Sequence, residues 1–180
     1  MVTRRHDPER RDRIIDAALA VIAEGGVAGT SHRRVAERAD VPLGSMTYHF
    51  ESMDELLREA FTRFATRMSE QYAARIEAAA DLDALVETVV QLLHDDLTVS
   101  QNDLVIALEL YTLAARQPAF RQLTHDWMRR SRQALERLVD ARTAYELDAL
   151  IEGLLIHISL DKTPRSRDVT RDAVRRLLSL

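Results

Sequence analysis

Apolar residues recur at helical spacing along nearly the whole of this chain of 180 residues. The pattern is seldom interrupted, because the sequence holds only five Gly and four Pro, the two residues that most often end helices. No segment alternates apolar and polar residues in the way that predicts a half-buried strand. The sequence therefore predicts an all-α fold with about nine helices.

Capping residues and helix breakers set the expected ends of these helices. The first helix is expected between Asp7 and Glu24, where Gly25-Gly26 ends it. Ser52, followed three residues later by Glu55, forms a capping box that opens a long fourth helix. The predicted helices cover roughly residues 7–24, 30–39, 43–50, 52–80, 82–99, 101–116, 118–142, 145–160 and 166–179.

Short helices give way to long ones near Ser52, which predicts a boundary between a domain of residues 1–51 and a domain of residues 52–180. The formal net charge of −4 lies entirely in the second part. Residues 1–52 hold eight Arg against eight Asp and Glu, whereas the remainder holds 17 basic against 21 acidic residues. The first part is neutral as a whole but begins with a basic cluster, Arg4, Arg5, Arg10, Arg11 and Arg13.

Several kinds of site are excluded by what the sequence lacks. The chain has no Cys, so we expect no disulfide and no thiol chemistry, as is common in the cytoplasm. Its start is charged and its apolar windows are short or interrupted by acids, so we expect neither a signal peptide nor a membrane span. The six His never lie three or four residues apart, and no catalytic or phosphate-loop motif occurs. We therefore expect no bound metal, no cofactor and no enzymatic activity.

The segment VPLGSMTYHF, residues 41–50, contains no Asp, Glu, Lys or Arg, although 30% of the whole chain is charged. Its short helix follows another across a tight turn, which is the arrangement that lays a recognition helix in the major groove of DNA. Gly44 would let the backbone approach the phosphates closely, and Arg33 of the preceding helix could reach phosphate or guanine. Uncharged side chains that can hydrogen-bond phosphate oxygens follow in the same helix: Ser45, Thr47, Tyr48 and His49.

The stretch GVAGTSHRRVAERADVPLGSMTYHFESMDELL resembles the DNA-binding region of the TetR family of bacterial transcriptional regulators. The likeness extends over about residues 10–57 and rests on Gly26, Thr30-Ser31, Val35-Ala36, Ala39, Val41, Gly44, Tyr48-His49-Phe50 and Leu56-Leu57. It implies an all-α homodimer with an N-terminal three-helix helix-turn-helix domain that binds operator DNA. It also implies a larger helical domain for effector binding and dimerisation. On the family pattern the groove-facing positions are Leu43, Gly44 and Ser45, the phosphate-facing positions are Thr47, Tyr48 and His49, and Val35 and Phe50 pack inside.

One position departs from the family pattern. Many members carry Lys directly after the Ser that caps the fourth helix, where it meets phosphate, whereas this chain carries Met53. We therefore expect one phosphate contact fewer. The basic cluster at the N-terminus could replace it by reaching the DNA backbone or minor groove, which would make binding strongly dependent on salt.

The segment DLVIALELYTLAA, residues 103–115, is apolar on nearly every side, so we expect it to be the central helix of the second domain. Polar side chains near such a helix need partners, and an apolar cavity with a few polar groups is how small-molecule sites are built. Plain core packing or exposure to solvent is the alternative for each candidate. The predicted effector pocket is lined by Met68, Tyr72, Leu93, Leu108, Glu109, Thr112, His125 and Trp127.

The last two predicted helices each carry an apolar face, and one neighbour cannot cover both faces. The exposed remainder predicts a two-fold interface of four helices, with Gly153 permitting close approach. Packing within one chain is the alternative. The residues expected at the interface are Leu147, Ile151, Leu154, Leu155, Ile158, Val174 and Leu177.

Together these features predict a DNA-binding transcriptional regulator that responds to a ligand. We expect a repressor that binds a palindromic operator as a dimer and is released by a small molecule, with double-stranded DNA, the effector and a second copy as partners. One alternative is an all-α ligand-binding or enzymatic protein that keeps the motif without operator function. The other is an activator of the same fold.

Overall fold

A computed structural model describes residues 9–96, 101–163 and 166–180 of the chain. All regular secondary structure within these ranges is helical, which confirms the all-α prediction. No helix in the described ranges is both long and apolar enough to cross a membrane. The helices are α1 (Arg10–Gly25), α2 (His32–Arg38), α3 (Leu43–His49), α4 (Met53–Glu77), α5 (Leu82–Gln91), α6 (Gln101–Arg116), α7 (Pro118–Leu135), α8 (Ala141–Leu160) and α9 (Arg167–Leu177), and a wider π-helical turn (Leu92–Asp96) continues α5.

Side-chain hydrogen bonds mark the start of two of the first four helices. The hydroxyl of Ser31 accepts from the backbone N–H of Arg34 and so caps α2, and Ser52 accepts from the N–H of Glu55 and caps α4. Between α2 and α3 the chain turns through Asp40, which adopts a positive φ of 52°. Asp tolerates this conformation better than most residues with a side chain. The turn brings α3 across α2, as a helix-turn-helix requires.

Two hydrophobic cores are stacked along the long helix α4. The first core joins α1, α2 and α3 to the first half of α4, to α6 and to the start of α7. The second core joins the end of α4 to α5, the end of α7, α8 and α9. Because α4 contributes to both, it links the N-terminal helices to the rest of the chain.

The boundary between α7 and α8 differs clearly from the sequence prediction. Helix α7 ends at Leu135 instead of near residue 142, and Arg137 just beyond it donates to the backbone oxygens of Ile76 and Ala79 at the end of α4. The carboxylate of Asp140 then accepts from two backbone N–H groups and starts α8 at Ala141, four residues earlier than expected. The prediction missed that Asp140 is a helix cap. The predicted start of the first helix at Asp7 and residues 97–99 of the fifth helix lie outside the described residues.

Helix α6 is less enclosed than its apolar sequence suggests. It packs against α1, α7 and α8, with Leu104, Ile106 and Leu110 buried. Thr112 on its far side is exposed, and its hydroxyl donates to the backbone oxygen of Leu108 in the preceding turn. The predicted central helix is therefore enclosed on most sides and open to solvent at Thr112.

Candidate nucleic-acid interface and effector cavity

The seven residues of α3 divide into two faces. Ser45 and Met46 are buried against the first core, Phe50 directly after the helix is only 1% exposed, and His49 is half-buried. Tyr48 is 82% exposed on the opposite side. The outward residues lie at the spacing that places side chains on one side of a helix: Leu43, Gly44, Thr47 and Tyr48.

The outward face of α3 is open and uncharged. A side chain added at Gly44 would meet no atom within 4 Å, so the glycine is not required by packing. The hydroxyl of Thr47 donates to the backbone oxygen of Gly44 at 3.3 Å, and Leu43 is 55% exposed. Such a smooth face with short polar groups can approach a groove closely.

Ser45 is placed differently from the expectation. Its side chain is buried on the inner face, beside Met46, and does not lie on the open face with Leu43 and Tyr48. Each residue advances a helix by about 100°, so a side chain one position from the groove-facing row can point into the protein. Ser45 is therefore better placed to pack α3 than to read a base.

His49 lies between the two faces. Its ring meets the Tyr48 ring edge-on, with centroids 4.9 Å apart. Partial burial, together with the charges of Arg10 and Arg11, lowers the pKa of His49 below its ordinary 6.5. The imidazole is therefore uncharged at neutral pH, where it can act as a hydrogen-bond donor to phosphate without adding charge.

Basic residues near α3 are held by neighbouring acids. Arg33 donates to Glu37 at 2.9 Å across the exposed surface of α2. In the N-terminal basic cluster, Arg11 pairs with Glu59 and lies over the ring of Phe50, with 5.0 Å from guanidinium carbon to ring centroid. Arg4 and Arg5, expected to reach DNA, lie outside the described residues. The side chain of Arg33 is 82% exposed on α2 despite its ion pair with Glu37.

Met53, where many family members carry Lys, begins α4 as a half-buried residue that packs on the first core. An apolar side chain at such a position stabilises the folded chain, because its burial removes apolar surface from water. This packing gives a structural reason for Met at the departure from the family pattern.

A cavity of about 370 Å³ lies in the larger part of the chain. Four helices form its wall, with Leu92 at one side. Most of the surface is apolar, and it also carries a few polar and charged groups, as small-molecule sites do. The lining residues from α4, α6, α7 and α8 are Met68, Gln71, Tyr72, Arg75, Leu104, Ala107, Leu108, Tyr111, Trp127, Met128, Ser131, Asp148, Ile151, Glu152, Leu155 and Ile156.

Aromatic rings form one side of this cavity. The rings of Tyr111 and Trp127 stack with an interplanar angle of 14° and centroids 5.9 Å apart. Phe64 in the first core meets Trp127 edge-on at 5.7 Å and so supports the stack from behind. The hydroxyl of Tyr72 is buried at the same cavity, and within the described part of the chain it has no hydrogen-bond partner.

Two acids one turn apart on α8 give the cavity its polarity. Burial raises the pKa of Asp148 from 3.8 to about 6, although Arg132 opposes the change with its guanidinium 3.8 Å away, and Glu152 adds to it. Burial, followed by the charge of Glu152 and a hydrogen bond to that residue, raises the pKa of Tyr111. A phenol that donates to a carboxylate keeps its proton because the bond favours the protonated form.

Four of the eight residues expected in an effector pocket line this cavity: Met68, Tyr72, Leu108 and Trp127. The other four lie elsewhere. Leu93 is buried in the second core, and Thr112 and His125 are exposed to solvent. Asp148 and Glu152 were missed. Their spacing of four residues inside the apolar segment LDALIEGLL is the signal that could have found them.

Glu109, the last of the four, bonds to the end of α1 instead of the cavity. Its carboxylate accepts from the backbone N–H of Val27 at 3.0 Å. It also lies where a side chain on Gly26 would be, 2.6 Å from that position. Glu109 is the next residue after Leu108, which lines the cavity, so α6 contacts the cavity on one side and the N-terminal helices on the other.

The residues expected at a dimer interface fall into two groups, one buried within the chain and one partly accessible. Leu147, Ile151 and Val174 are buried in the second core of the same chain, so they are not available to a partner. For these three residues, packing within the chain, the alternative to a place at the interface, is what the structure shows. Leu154, Leu155, Ile158 and Leu177 remain partly accessible on α8 and α9.

Comparisons with known proteins match both parts of this arrangement. Residues 14–60 match the family described as bacterial regulatory proteins, tetR family. Residues 80–180 match the tetracyclin repressor-like C-terminal domain. The HTH-type transcriptional regulator BetI of Burkholderia cenocepacia is 32% identical over 165 residues, which cover 86% of this chain and 84% of BetI.

Solved structures agree with the sequence matches. A transcriptional regulator of Streptomyces coelicolor A3(2) is 53% identical, with a TM-score of 0.89 over 96% of this chain and all of that one. The multidrug binding protein EbrR, solved with ethidium, is 37% identical, with a TM-score of 0.80 over 96% of this chain and 99% of EbrR. The family models match both the helix-turn-helix that contains α3 and the helical domain that follows it. This chain therefore belongs to the TetR family of bacterial transcriptional regulators.

Proposed function

We propose that this regulator is a cytoplasmic repressor that binds a palindromic operator as a homodimer and leaves it when a small molecule fills the cavity. The observation that carries the DNA-binding part is the division of α3 into a buried inner face and an open, uncharged outer face. Among the described residues, no neighbour lies against the position of a side chain at Gly44, and Tyr48 is 82% exposed. A surface with no packing role is more simply explained by contact with a partner.

The dimer is proposed from the size of the reading unit and from the accessible part of α8 and α9. One helix-turn-helix reads too few base pairs for specificity, whereas two units related by a two-fold axis read two half-sites. Leu154, Ile158 and Leu177 are half-buried apolar residues of α8 and α9, and Leu160 and Val169 on the same two helices are exposed. A second copy would cover this surface.

The effector is proposed to occupy the cavity beside Trp127. Its volume of about 370 Å³ lies within the range of small-molecule sites. EbrR, which has the same fold, is described as a multidrug binding protein and was solved with ethidium, proflavin and malachite green. That likeness supports a small-molecule site in this part of the fold.

Two contacts could carry a signal from the cavity to α3. Helix α4 lines the cavity with Met68 and Tyr72 and reaches the N-terminal helices through Arg63, which donates to Asp16 of α1 at 2.8 Å. Helix α6 reaches them through Glu109. A ligand that favours another position of either helix would change the distance between the two helix-turn-helix units of the dimer. A preference of about 1–3 kcal/mol would be sufficient to regulate binding.

A gel-shift titration with the intergenic DNA upstream of the gene tests the proposal. We expect a salt-sensitive shift that Tyr48→Ala weakens by about tenfold or more. The matched control is Tyr145→Ala, since Tyr145 is also exposed but lies on α8, with the dimer content of each variant checked by size-exclusion chromatography. Absence of any specific shift at low salt would instead favour a ligand-binding protein that keeps the motif without operator function.

A further inference from the structure

We propose that a row of ion pairs positions α9 on its own chain, so that salt, by screening these pairs, weakens the dimer to which α9 contributes. The pairs join α9 to α5 and to the π-helical turn that continues α5, and we call them the α5–α9 seam. The consequence for the dimer rests on the proposed function, whereas the seam itself lies within one chain. Its three pairs are Arg167–Asp95, Arg171–Glu87 and Arg175–Asp83.

The first argument is how little of α9 is held by apolar packing. Of its 11 residues, Thr170 and Val174 are buried, while Leu177 and Leu178 at its end are half-buried on the second core. Even Thr170 makes a polar contact, since its hydroxyl lies 2.9 Å from Nε2 of His94. A helix of this length is only marginally stable without contacts to the rest of the chain. Polar contacts must therefore supply much of the attachment of α9.

The second argument is the geometry of the ion pairs. Arg171 holds the Glu87 carboxylate with two nitrogens, at 2.6 and 3.0 Å, and Arg167 holds Asp95 with two nitrogens as well. Hydrogen bonds from Arg171, and then the charges of Arg171 and Arg175, hold the pKa of Glu87 below its ordinary value. Single exposed ion pairs contribute little to stability, but bidentate pairs that act on each other contribute more.

The third argument is the order of the charges along the two helices. The three Arg of the seam are four residues apart, so they lie along one side of α9. Arg167 at the start of α9 meets Asp95, and Arg175 near its end meets Asp83 at the start of α5. All the cations belong to α9 and all the acids to the neighbouring segment. The seam therefore fixes both the direction and the position of α9 on α5.

The surface that α9 offers to a second copy lies away from the seam. Val169, which is 55% exposed, precedes Arg171 by two residues and so lies on roughly the opposite side of the helix. Salt does not weaken the burial of apolar groups, so a dimer that depended on apolar contacts alone would tolerate it. The side chains of the seam, however, are between 31% and 73% exposed, and salt screens exposed charges. Screening would loosen α9 and with it the dimer.

We would measure two quantities on the full chain without DNA, at about 50 mM and about 500 mM NaCl. Hydrogen exchange of residues 167–177 reports on α9, and fluorescence-detected ultracentrifugation gives the dissociation constant of the dimer. We expect exchange and dissociation constant each to increase about threefold or more at high salt. At low salt Arg171→Glu, which faces Glu87 with a second acid, should increase both about tenfold or more. Adding Glu87→Arg, which exchanges the two charges, should restore most of the loss.

Arg129→Glu is the matched control, because it makes the same change of charge and breaks an exposed ion pair, to Asp126 at 3.2 Å, on α7. It should alter neither the exchange of α9 nor the dimer. Circular dichroism checks that each variant is folded, and Arg175→Glu serves as the seam variant if Arg171→Glu does not fold.

Protection of α9 that is equal at both salt concentrations, or that survives in a folded seam variant, would overturn the seam. So would a failure of Glu87→Arg to restore protection. A dimer that is unchanged while α9 is loosened would overturn the consequence for dimerisation. A chain that is monomeric at both salt concentrations would contradict the proposed homodimer instead, and the exchange of α9 would still decide whether the seam holds this helix.

Discussion

The recognition helix and the cavity differ in how packing and function are divided among their residues. In α3, a contiguous segment, the residues that pack and the residues that face solvent lie on opposite sides. In the cavity, residues from four separate helices pack against each other and also form the binding surface. Ile151, for example, belongs both to the second core and to the cavity lining.

This difference has a consequence for mutation. On the outer face of α3 a substitution should change DNA binding without loss of stability. In the cavity a substitution should change both, because buried polar groups there reduce stability in exchange for a binding role. The predictions below test that division.

The largest effect is expected from the neighbours Phe50 and Tyr48, which are 1% and 82% exposed. Phe50→Ala should lower the free energy of unfolding by about 3–5 kcal/mol, since it leaves a cavity in the first core. Tyr48→Ala should leave that free energy unchanged while it weakens operator binding. Urea unfolding of both variants measures the effect. A similar loss of stability in Tyr48→Ala would show that the two faces of α3 are not separate.

A pair of glycines gives the next largest effect. Gly26 has a φ of 66° and a ψ of 177°, a conformation that other residues avoid, and the Glu109 carboxylate occupies the space beside it. Gly26→Ala should therefore lower the free energy of unfolding by about 2–3 kcal/mol. Gly44→Ala should stabilise α3 by up to about 1 kcal/mol and yet weaken operator binding. Thermal unfolding and gel shifts together measure the pair, and equal stability of the two variants would contradict this account.

The sequence was sufficient for the fold, and for the exposure of Leu43, Gly44, Thr47 and Tyr48 on α3, because the signals there are local. Ser52 and Glu55 mark a helix start, and Gly44 and Tyr48 lie in one short segment. The error at Ser45 is also local, because α3 has only seven residues and too few turns to fix which side faces inward. A shift of one residue is enough to move a side chain by about 100°.

The cavity could be predicted only in part because its geometry depends on contacts between distant segments. Leu108 lines the cavity whereas Glu109 bonds to Val27 of the N-terminal part, and no pattern within α6 alone distinguishes these directions. Trp127, a large aromatic residue of the kind that is seldom left exposed, does line the cavity. Asp148 was missed because an acid on an amphipathic helix normally faces solvent.

A smaller effect, visible in the pH dependence of stability, is expected for Asp148. Its pKa is raised from 3.8 to about 6 in the folded chain, so the folded state holds more protons than the unfolded state between these values. Stability should therefore decrease as pH rises from about 4 to about 6. Asp148→Asn should remove this decrease and raise the free energy of unfolding at neutral pH by about 1–2 kcal/mol.

Urea unfolding at several pH values measures the Asp148 prediction. Asp126→Asn is the control of opposite sign, because hydrogen bonds from Gln122 and Arg129 lower the pKa of that exposed carboxyl. Its contribution to stability is lost as pH falls. An Asp148→Asn chain that keeps the decrease between pH 4 and pH 6 would show that another cavity group titrates there.

The smallest effect on stability is expected at Arg33, which tests whether a charged residue beside α3 follows the same division as the uncharged ones. Arg33 and Glu37 form an exposed ion pair at 2.9 Å, and such pairs one turn apart contribute at most about 0.5 kcal/mol. Arg33→Ala should thus leave thermal unfolding almost unchanged.

If Arg33 contacts phosphate, Arg33→Ala should lower the salt dependence of operator binding by about one ion, and Arg33→Lys should restore it. If Arg33 reads guanine with both nitrogens, Lys should not restore affinity for the operator over other sequences. Glu37→Gln, which releases Arg33 from its partner, should strengthen binding in both cases, and a weakened shift in that variant would show that the ion pair positions Arg33 for DNA instead of competing with it.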